Sequence, residues 1–226
     1  MSSNATTARA VPHARGYWYQ VVKRTLDVLT SMVFLVLLLP LWLLIAVLIK
    51  LDSRGPVLFK NTAVGKDEEP FTMYKFRSMR VASNSDEHRQ DVRRNFAEGQ
   101  PTTIDEKGRP IFKSALVDAS RITRVGKFLR QTSLDEAPQF WNVLRGEMSV
   151  VGPRPALPYE ADLYDDMQRC RFHVKPGLTG LYQVSGRNRV PISEMLRLDL
   201  EYVEKQSVSL DLAIIVKTPL AMFLGI

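Results

Sequence analysis

Asp135 and Glu136 are adjacent carboxylates inside the run Ser133-Leu134-Asp135-Glu136-Ala137-Pro138-Gln139. Further along, Arg154 stands between two prolines in Val151-Gly152-Pro153-Arg154-Pro155. A carboxylate can act as a nucleophile and split one displacement into two. A neighbouring carboxylate can hold a hard cation through oxygen. A guanidinium whose backbone is fixed on both sides has little entropy left to lose, which suits bidentate capture of a phosphate. An acidic pair in a chain rich in Lys and Arg points to chemistry on phosphates.

Each feature also has a plain structural use. Ser133 and Glu136 have the spacing of a helix capping box. Pro138 opposes this, because a helix capped by Ser133 needs an N–H at residue 138; the helix start moves to about Asp135. The carboxylates then sit at a positive helix end, where Asp135 can serve as an ordinary N-cap. Arg154 can be a solvated arginine on a rigid loop. Lys175-Pro176-Gly177-Leu178-Thr179-Gly180 reads as a turn whose glycines let backbone amides approach a ligand, or as a connector. Gly186-Arg187-Asn188 offers donors and acceptors for a base or sugar, or forms a simple turn. Spacing alone leaves both uses open.

These residues need a platform. The chain has 226 residues, enough for one domain with an appendage. It is 45% hydrophobic and 24% charged, an ordinary globular balance. The net charge of +7 calls for an anionic partner: lipid headgroups, nucleotide phosphates or nucleic acid. Cys170 is the single cysteine, so no intrachain disulfide can form and a reducing compartment fits. His13, His88 and His173 are scattered and suggest no zinc cluster.

Val28 to Ile49 is a run of 22 residues without a charge. As a straight helix it reaches about 33 Å, enough to cross a hydrocarbon core of about 30 Å. Ile49-Lys50-Leu51-Asp52 offers no small-residue cleavage site, which argues against a signal peptide. Pro40 divides the run into Val28–Leu39 and Leu41–Ile49, each too short to cross alone. Arg9, Arg15, Lys23 and Arg24 precede it, and Lys50, Arg54, Lys60 and Lys66 follow it. The basic flanks are tied, as expected of a segment that enters and leaves by one face. A kinked re-entrant hairpin fits both facts; a single-pass anchor is the alternative. Tyr17, Trp18 and Tyr19 suit interfacial anchors or core packing.

The remainder reads as an α/β (α+β) domain, mostly helical with short strands. Pro56–Phe59 and Phe71–Phe76 are expected strands around a polar turn at Gly65–Glu69. Residues 82–118 suggest a helix followed by an exposed excursion. A basic amphipathic helix is expected over Arg121–Arg130, with others at Gln139–Leu144, Tyr159–Arg169 and Ser193–Glu204. Leu210–Ile226 is apolar but interrupted by Asp211, Lys217 and Pro219, which suits a helix in the interface plane. The organisation is thus an N-terminal tail over 1–22, a re-entrant helix-break-helix over 23–55 and a catalytic domain over 56–226.

Together the segments resemble one family. Lys75-Phe76-Arg77-Ser78-Met79, Thr132 to Glu136, Asn142-Val143-Leu144, Arg145 to Ser149, Val151 to Pro155 and Lys175 to Asn188 occur in the order found in bacterial sugar transferases. These are the monotopic polyprenyl-phosphate phosphoglycosyl transferases. The resemblance runs from about Lys23 to the C-terminus. It implies transfer of a sugar 1-phosphate from a UDP-sugar to undecaprenyl phosphate, with release of UMP. It implies a Mg2+ requirement and an initiating place in exopolysaccharide, O-antigen or other surface glycan assembly.

It further implies that Asp135 is the nucleophile of a covalent phosphosugar intermediate and Glu136 the magnesium ligand. Arg154, Lys75 and Arg130 match phosphate-binding residues. Gly177, Thr179, Gln183, Arg187 and Asn188 match the nucleotide-binding segment. The implied location is the cytoplasmic face of the bacterial inner membrane, in contact with its lipids and without nucleic acid; a homo-oligomer stays open. Direct one-step transfer, with Asp135 as base or metal ligand, and a non-catalytic membrane scaffold are the competing readings. The segment from Gly177 to Asn188 resembles members that use hexoses more than those that use acetamido sugars. The chain departs from the family at Leu39-Pro40, where Ser-Pro is usual, at Asn61 and Ala63, where Gln and Arg are common, and at Ala137 and Tyr182.

Overall fold

The computed structural model describes residues 16–80 and 121–224, with short pieces between 93 and 111. The expected α+β character holds: helices dominate, and the strands are short and paired two by two. Of the stretch over 82–118, the described residues include an antiparallel ladder of Thr103–Ile104 with Pro110–Ile111; the helix expected there lies largely outside them.

The apolar run forms two helices, α1 (Tyr17–Leu37) and α2 (Leu39–Asp52), bent by 61° at the break. No single helix among the described residues is long and apolar enough to cross a membrane, but the bent pair together has the length and apolar composition to do so. The break lies at Leu38, two residues ahead of the position expected from Pro40. The proline sits in the first turn of α2, where its missing N–H is not needed. Helix α1 starts at Tyr17, so the boundary drawn at 22/23 falls inside it.

Strands β1 (Leu58–Val64) and β2 (Pro70–Phe76) form the expected hairpin, with the chain reversing over Lys66–Glu68. The first strand starts two residues later than the sequence suggests and runs five further. Helix α3 (Arg124–Gln131) is capped by the Thr123 side chain, which accepts from the Gly126 amide at 3.0 Å. Helix α4 (Gln139–Arg145) ends at Gly146, whose φ of 84° is the left-handed stop that glycine supplies cheaply.

The stretch read as one helix over Tyr159–Arg169 is two, α5 (Pro158–Ala161) and α6 (Asp166–Arg169). Asp165 caps the second by accepting from the Gln168 amide at 2.8 Å, so its side chain starts a new helix instead of continuing the old one. Strands β3 (Ser149–Val151) and β4 (Gly177–Thr179) pair in parallel. Helices α7 (Leu181–Ser185), α8 (Ile192–Lys205) and α9 (Val208–Leu224) complete the described chain. Helix α9 takes Asp211, Lys217 and Pro219 into one helix rather than breaking at them.

Three apolar clusters hold these parts. One gathers Tyr164, Phe172, Tyr182, Met195 and Leu196. A second joins Val143, Met148, Val151, Tyr202 and Ile214. The third packs Ile45 and Ile49 of α2 against Phe76 and Leu129, with Leu134 at its edge. Polar residues of α1 reach into the second region. Asp27 accepts from the Ser149 hydroxyl at 3.0 Å and the Val150 amide at 2.8 Å, so it serves the edge of β3 as a neighbouring strand would. The Lys23 ammonium donates to Asp211 at 2.9 Å and to the Val151 carbonyl at 2.9 Å. Tyr19 and Tyr202 donate to the same Asp211 carboxylate, at 3.0 and 2.7 Å. Of the three aromatics before the run, Tyr19 is thus a polar clasp, while Tyr17 and Trp18 are exposed.

Candidate active site

The dyad lies in a 3₁₀ turn, Leu134–Glu136, between α3 and α4. No capping box forms. Ser133 is in the left-handed region at φ 56°, and its side chain caps nothing. Helix α4 starts at Gln139 rather than at about Asp135. The reason is Pro138: it can open a helix but cannot donate within one, so the preceding residues close a tighter turn. Asp135 and Glu136 are both partly exposed.

Three elements fix that turn. From β2, the Lys75 ammonium donates to Glu136 at 2.7 Å. From below, Leu134 enters the cluster built by α2 and α3. Through α4, Phe140 stacks on Phe34 of α1, with ring centroids 4.6 Å apart. The far end of α4 is held as well: the Arg24 guanidinium of α1 donates to the carbonyls of Val143 and Leu144, at 2.6 and 2.8 Å. Cations at a helix C-terminus meet both its open carbonyls and its dipole. Buried Asn142 stitches α4 to β2, giving to the Thr72 carbonyl at 2.7 Å and taking from the Tyr74 amide at 3.2 Å. The dyad therefore rides on the bent helix pair, with α1 under one side and α2 under the other.

Arg130 lies in the last turn of α3, which packs against the dyad turn; its Nη1 is buried without a hydrogen-bond partner among the described residues. Arg187 belongs to a short turn, Arg187–Arg189, and is itself left-handed at φ 47°. Its guanidinium donates to the Ser133 hydroxyl at 2.7 Å. The segment expected to meet a nucleotide is thus brought to the residue two before Asp135. Asn188 shares that turn, and its side chain lies outside the described residues. Gln183 is on α7, with its carbonyl oxygen buried and unpartnered among the described residues.

Gly177 and Thr179 have other duties. A Cβ on Gly177 would stand 2.1 Å from the Gly152 amide, so the glycine is demanded by the close approach of β4 to the Pro-Arg-Pro loop. The Thr179 hydroxyl bonds to that of Thr218 on α9, 2.8 Å away.

Arg154 sits on the loop between β3 and α5. Gly152 donates to the Thr179 carbonyl at 2.9 Å, and Gly177 donates to the Pro153 carbonyl at 2.8 Å. The Arg154 Nη1 lies 3.1 and 3.3 Å from the two oxygens of Glu160. Buried Arg171 donates to the Arg154 carbonyl, the Tyr164 hydroxyl and Asp199. Tyr182, pushed up to about 12 by burial, feels the positive charge of both Arg154 and Arg187. Of the two arginines, Arg187 is the one that reaches the dyad turn, through the Ser133 hydroxyl.

Sequence reasoning missed Glu160, Arg171 and Asp199. One signal was available: Asp199 falls on the buried face of α8 with Met195, Leu198, Tyr202 and Val203, where a charge must have a partner.

Comparison with known proteins settles the lineage. Residues 18–225 match the family described as bacterial sugar transferase. The chain belongs to that family. It is 40% identical over 198 residues to the exopolysaccharide production protein ExoY of Rhizobium meliloti, covering 88% of this chain and 84% of that one. It is 41% identical to a UDP-galactose-lipid carrier transferase of Erwinia amylovora, over 87% of this chain and 39% of the relative. A UDP-glucose:undecaprenyl-phosphate glucose-1-phosphate transferase of Klebsiella pneumoniae is 38% identical, over 91% and 41%. The chain thus spans most of ExoY and about two fifths of the other two. The expectation of a phosphoglycosyl transferase is borne out by this membership.

Proposed function

We infer that this sugar transferase moves a hexose 1-phosphate from a UDP-sugar to undecaprenyl phosphate, and so initiates assembly of an exopolysaccharide or a related surface glycan. The observation that carries this is the meeting of Asp135, Glu136, Lys75, Ser133 and Arg187 on one turn above the bent helix pair. Asp135 attacks the β-phosphorus of the UDP-sugar. The bond from that phosphorus to the bridging oxygen breaks, and UMP leaves. An oxygen of undecaprenyl phosphate then attacks the same phosphorus, and the carboxylate of Asp135 is regenerated. Arg154 and Arg187 bind the diphosphate and nucleotide, and Lys75 fixes Glu136.

Among the described residues no three His, Cys, Asp or Glu side chains group to cage a metal. Two neighbouring carboxylates do fit Mg2+, which commonly takes one or two carboxylates and completes its shell with substrate phosphates and water. Glu136 would hold it, with charge neutralisation on the diphosphate as its contribution.

The helix pair supplies the membrane seat. Leu29, Met32, Val33, Val36, Leu37 and Leu43 are exposed, an apolar surface that water does not favour. Leu212, Val216 and Leu220 of α9 are exposed at helical spacing, which supports an interfacial place for that helix. The reading is a re-entrant segment with both ends on the cytoplasmic face of the inner membrane.

A panel of UDP-sugars with undecaprenyl phosphate, read as UMP, tests the reaction. UMP from UDP-galactose or UDP-glucose is expected; none from any donor would leave a scaffold. Mass spectrometry of enzyme quenched with donor alone should find a phosphosugar on Asp135, whereas turnover without one means direct transfer. For topology, cysteines at Ser3 and Ser53 in a Cys170→Ser background should resist an impermeant thiol reagent until the cells are opened. Labelling of position 3 alone in sealed cells would establish a single-pass anchor.

A further inference from the structure

A phosphate-binding arginine works only if its N–H groups point one way. Arg154 is held from two directions. Its backbone is clamped by Arg171, whose guanidinium is 1% exposed and donates to the Arg154 carbonyl at 2.6 Å. Its side chain is engaged along one edge by Glu160, 7% exposed, through contacts of 3.1 and 3.3 Å to Nη1. Glu160 is itself held by a backbone contact. Its Oε2 accepts from the Leu157 amide at 2.8 Å, in the first turn of α5. Proline at position 158 opens that turn. The Arg154 side chain keeps 27% of its surface exposed, and its Nε and Nη2 make no hydrogen bond among the described residues. One edge of the fork is thus occupied and the rest is presented. The charge of Glu160 also holds the Arg154 guanidinium firmly protonated.

We propose that Glu160 is the positioning residue of Arg154: it spends one edge of the guanidinium to aim the other at the diphosphate of the UDP-sugar. The proposal rests on the phosphate-binding role of Arg154 given above. It assigns Glu160 no contact with substrate. The pair is close to neutral, so what it offers a phosphate is directed N–H groups rather than net charge. This is the property that separates positioning from simple attraction, and it makes the geometry of Glu160 decisive.

The test is a double-mutant cycle of Arg154→Ala and Glu160→Gln, with UDP-galactose and UDP-glucose as donors and detergent-dispersed undecaprenyl phosphate as acceptor. Glu160→Gln alone should lower kcat/KM for the donor on the order of tenfold to a hundredfold, the scale of a misplaced binding group. The loss should appear in the donor KM and leave the KM for undecaprenyl phosphate within twofold. In the Arg154→Ala background the same change should cost less than twofold. An equal loss in both backgrounds, or equal damage to both KM values, means that Glu160 supports the fold only and overturns the proposal. A tighter donor KM in Glu160→Gln means that Glu160 competes with phosphate, and overturns it too. If Glu160→Gln does not fold, Glu160→Asp takes its place in the cycle: the charge stays, the reach shortens, and the same outcomes apply. Arg154→Ala within threefold of the parent would remove the phosphate-binding reading itself, a failure distinct from additivity in the cycle.

Discussion

The turn that carries Asp135 and the loop that carries Arg154 lie in the same domain but are secured differently. Around Asp135 the contacts with the helix pair are apolar: Leu134 against the α2 cluster and Phe140 on Phe34. Around Arg154 they are ionic and buried: Glu160, Arg171 and Asp199 all have under a tenth of their surface exposed. Apolar contacts are weakly directional and tolerate sliding. A buried ionic network has one arrangement and penalises any other. The dyad turn therefore takes its place from the bent helix pair together with Lys75 of β2, and the Arg154 loop takes its place from the buried ionic network.

Four changes would break or sharpen this contrast. The largest effect belongs to Asp135→Asn, which removes the proposed nucleophile and keeps its shape. UMP release should vanish while circular dichroism is unchanged; activity within tenfold of the parent would refute the covalent role. Next is Arg154→Lys. The charge stays but the fork is lost, and kcat/KM should fall by about 2 kcal/mol, roughly thirtyfold. A fall below threefold would show that the ionic network orients nothing.

Phe140→Ala acts on the other region. Losing a stacked ring pair costs about 0.5–1.5 kcal/mol beyond the area it buries. The loss should appear in kcat, with the donor KM unchanged, because the dyad shifts and the arginine loop does not. Equal movement of both parameters would mean that the two regions are mechanically one.

The smallest effect on turnover is expected from Asp199→Asn, read instead through pH. Burial raises the Asp199 carboxyl to about 6, against the pull of Arg171. Arg171 stays charged throughout, so the carboxyl is the group that titrates. A raised carboxyl binds its proton more tightly in the folded chain. Its contribution to stability is full below its ordinary 3.8 and is lost as pH rises through about 6. Between about pH 4 and pH 7 the parent should lose more in Tm than Asp199→Asn does. Parallel curves would show that the carboxyl does not titrate in that window.

The two regions were also unequally legible in the sequence. The hairpin turn at Gly65–Glu69 and the helix at Gln139 are local, set by turn residues and by Pro138, and the structure has them close to where the sequence indicates. The dyad and the Pro-Arg-Pro loop are short motifs, readable as residues. What surrounds Arg154 was not readable. Arg171 meets Asp199 across 28 positions, and Asp27 meets Ser149 across 122. Nothing in local periodicity announces such pairs. The break at Leu38 and the split of the Tyr159–Arg169 stretch were missed for a smaller reason. Proline acts on the residues before it, and an aspartate within a helical pattern can cap a new helix.

Asp211 has a consequence for how the chain is made. Its partner Lys23 stands 188 positions earlier, in the helix that leads into the apolar run. At about 5–20 residues per second of synthesis, on the order of ten to forty seconds separate the two. Throughout that interval α1 and α2 have emerged, while the carboxylate that Lys23 needs does not yet exist. The apolar pair is therefore made before any catalytic domain is there to receive it, and helix α9 closes onto α1 only afterwards. Order of birth thus leaves the apolar pair without its ionic clasp for most of synthesis.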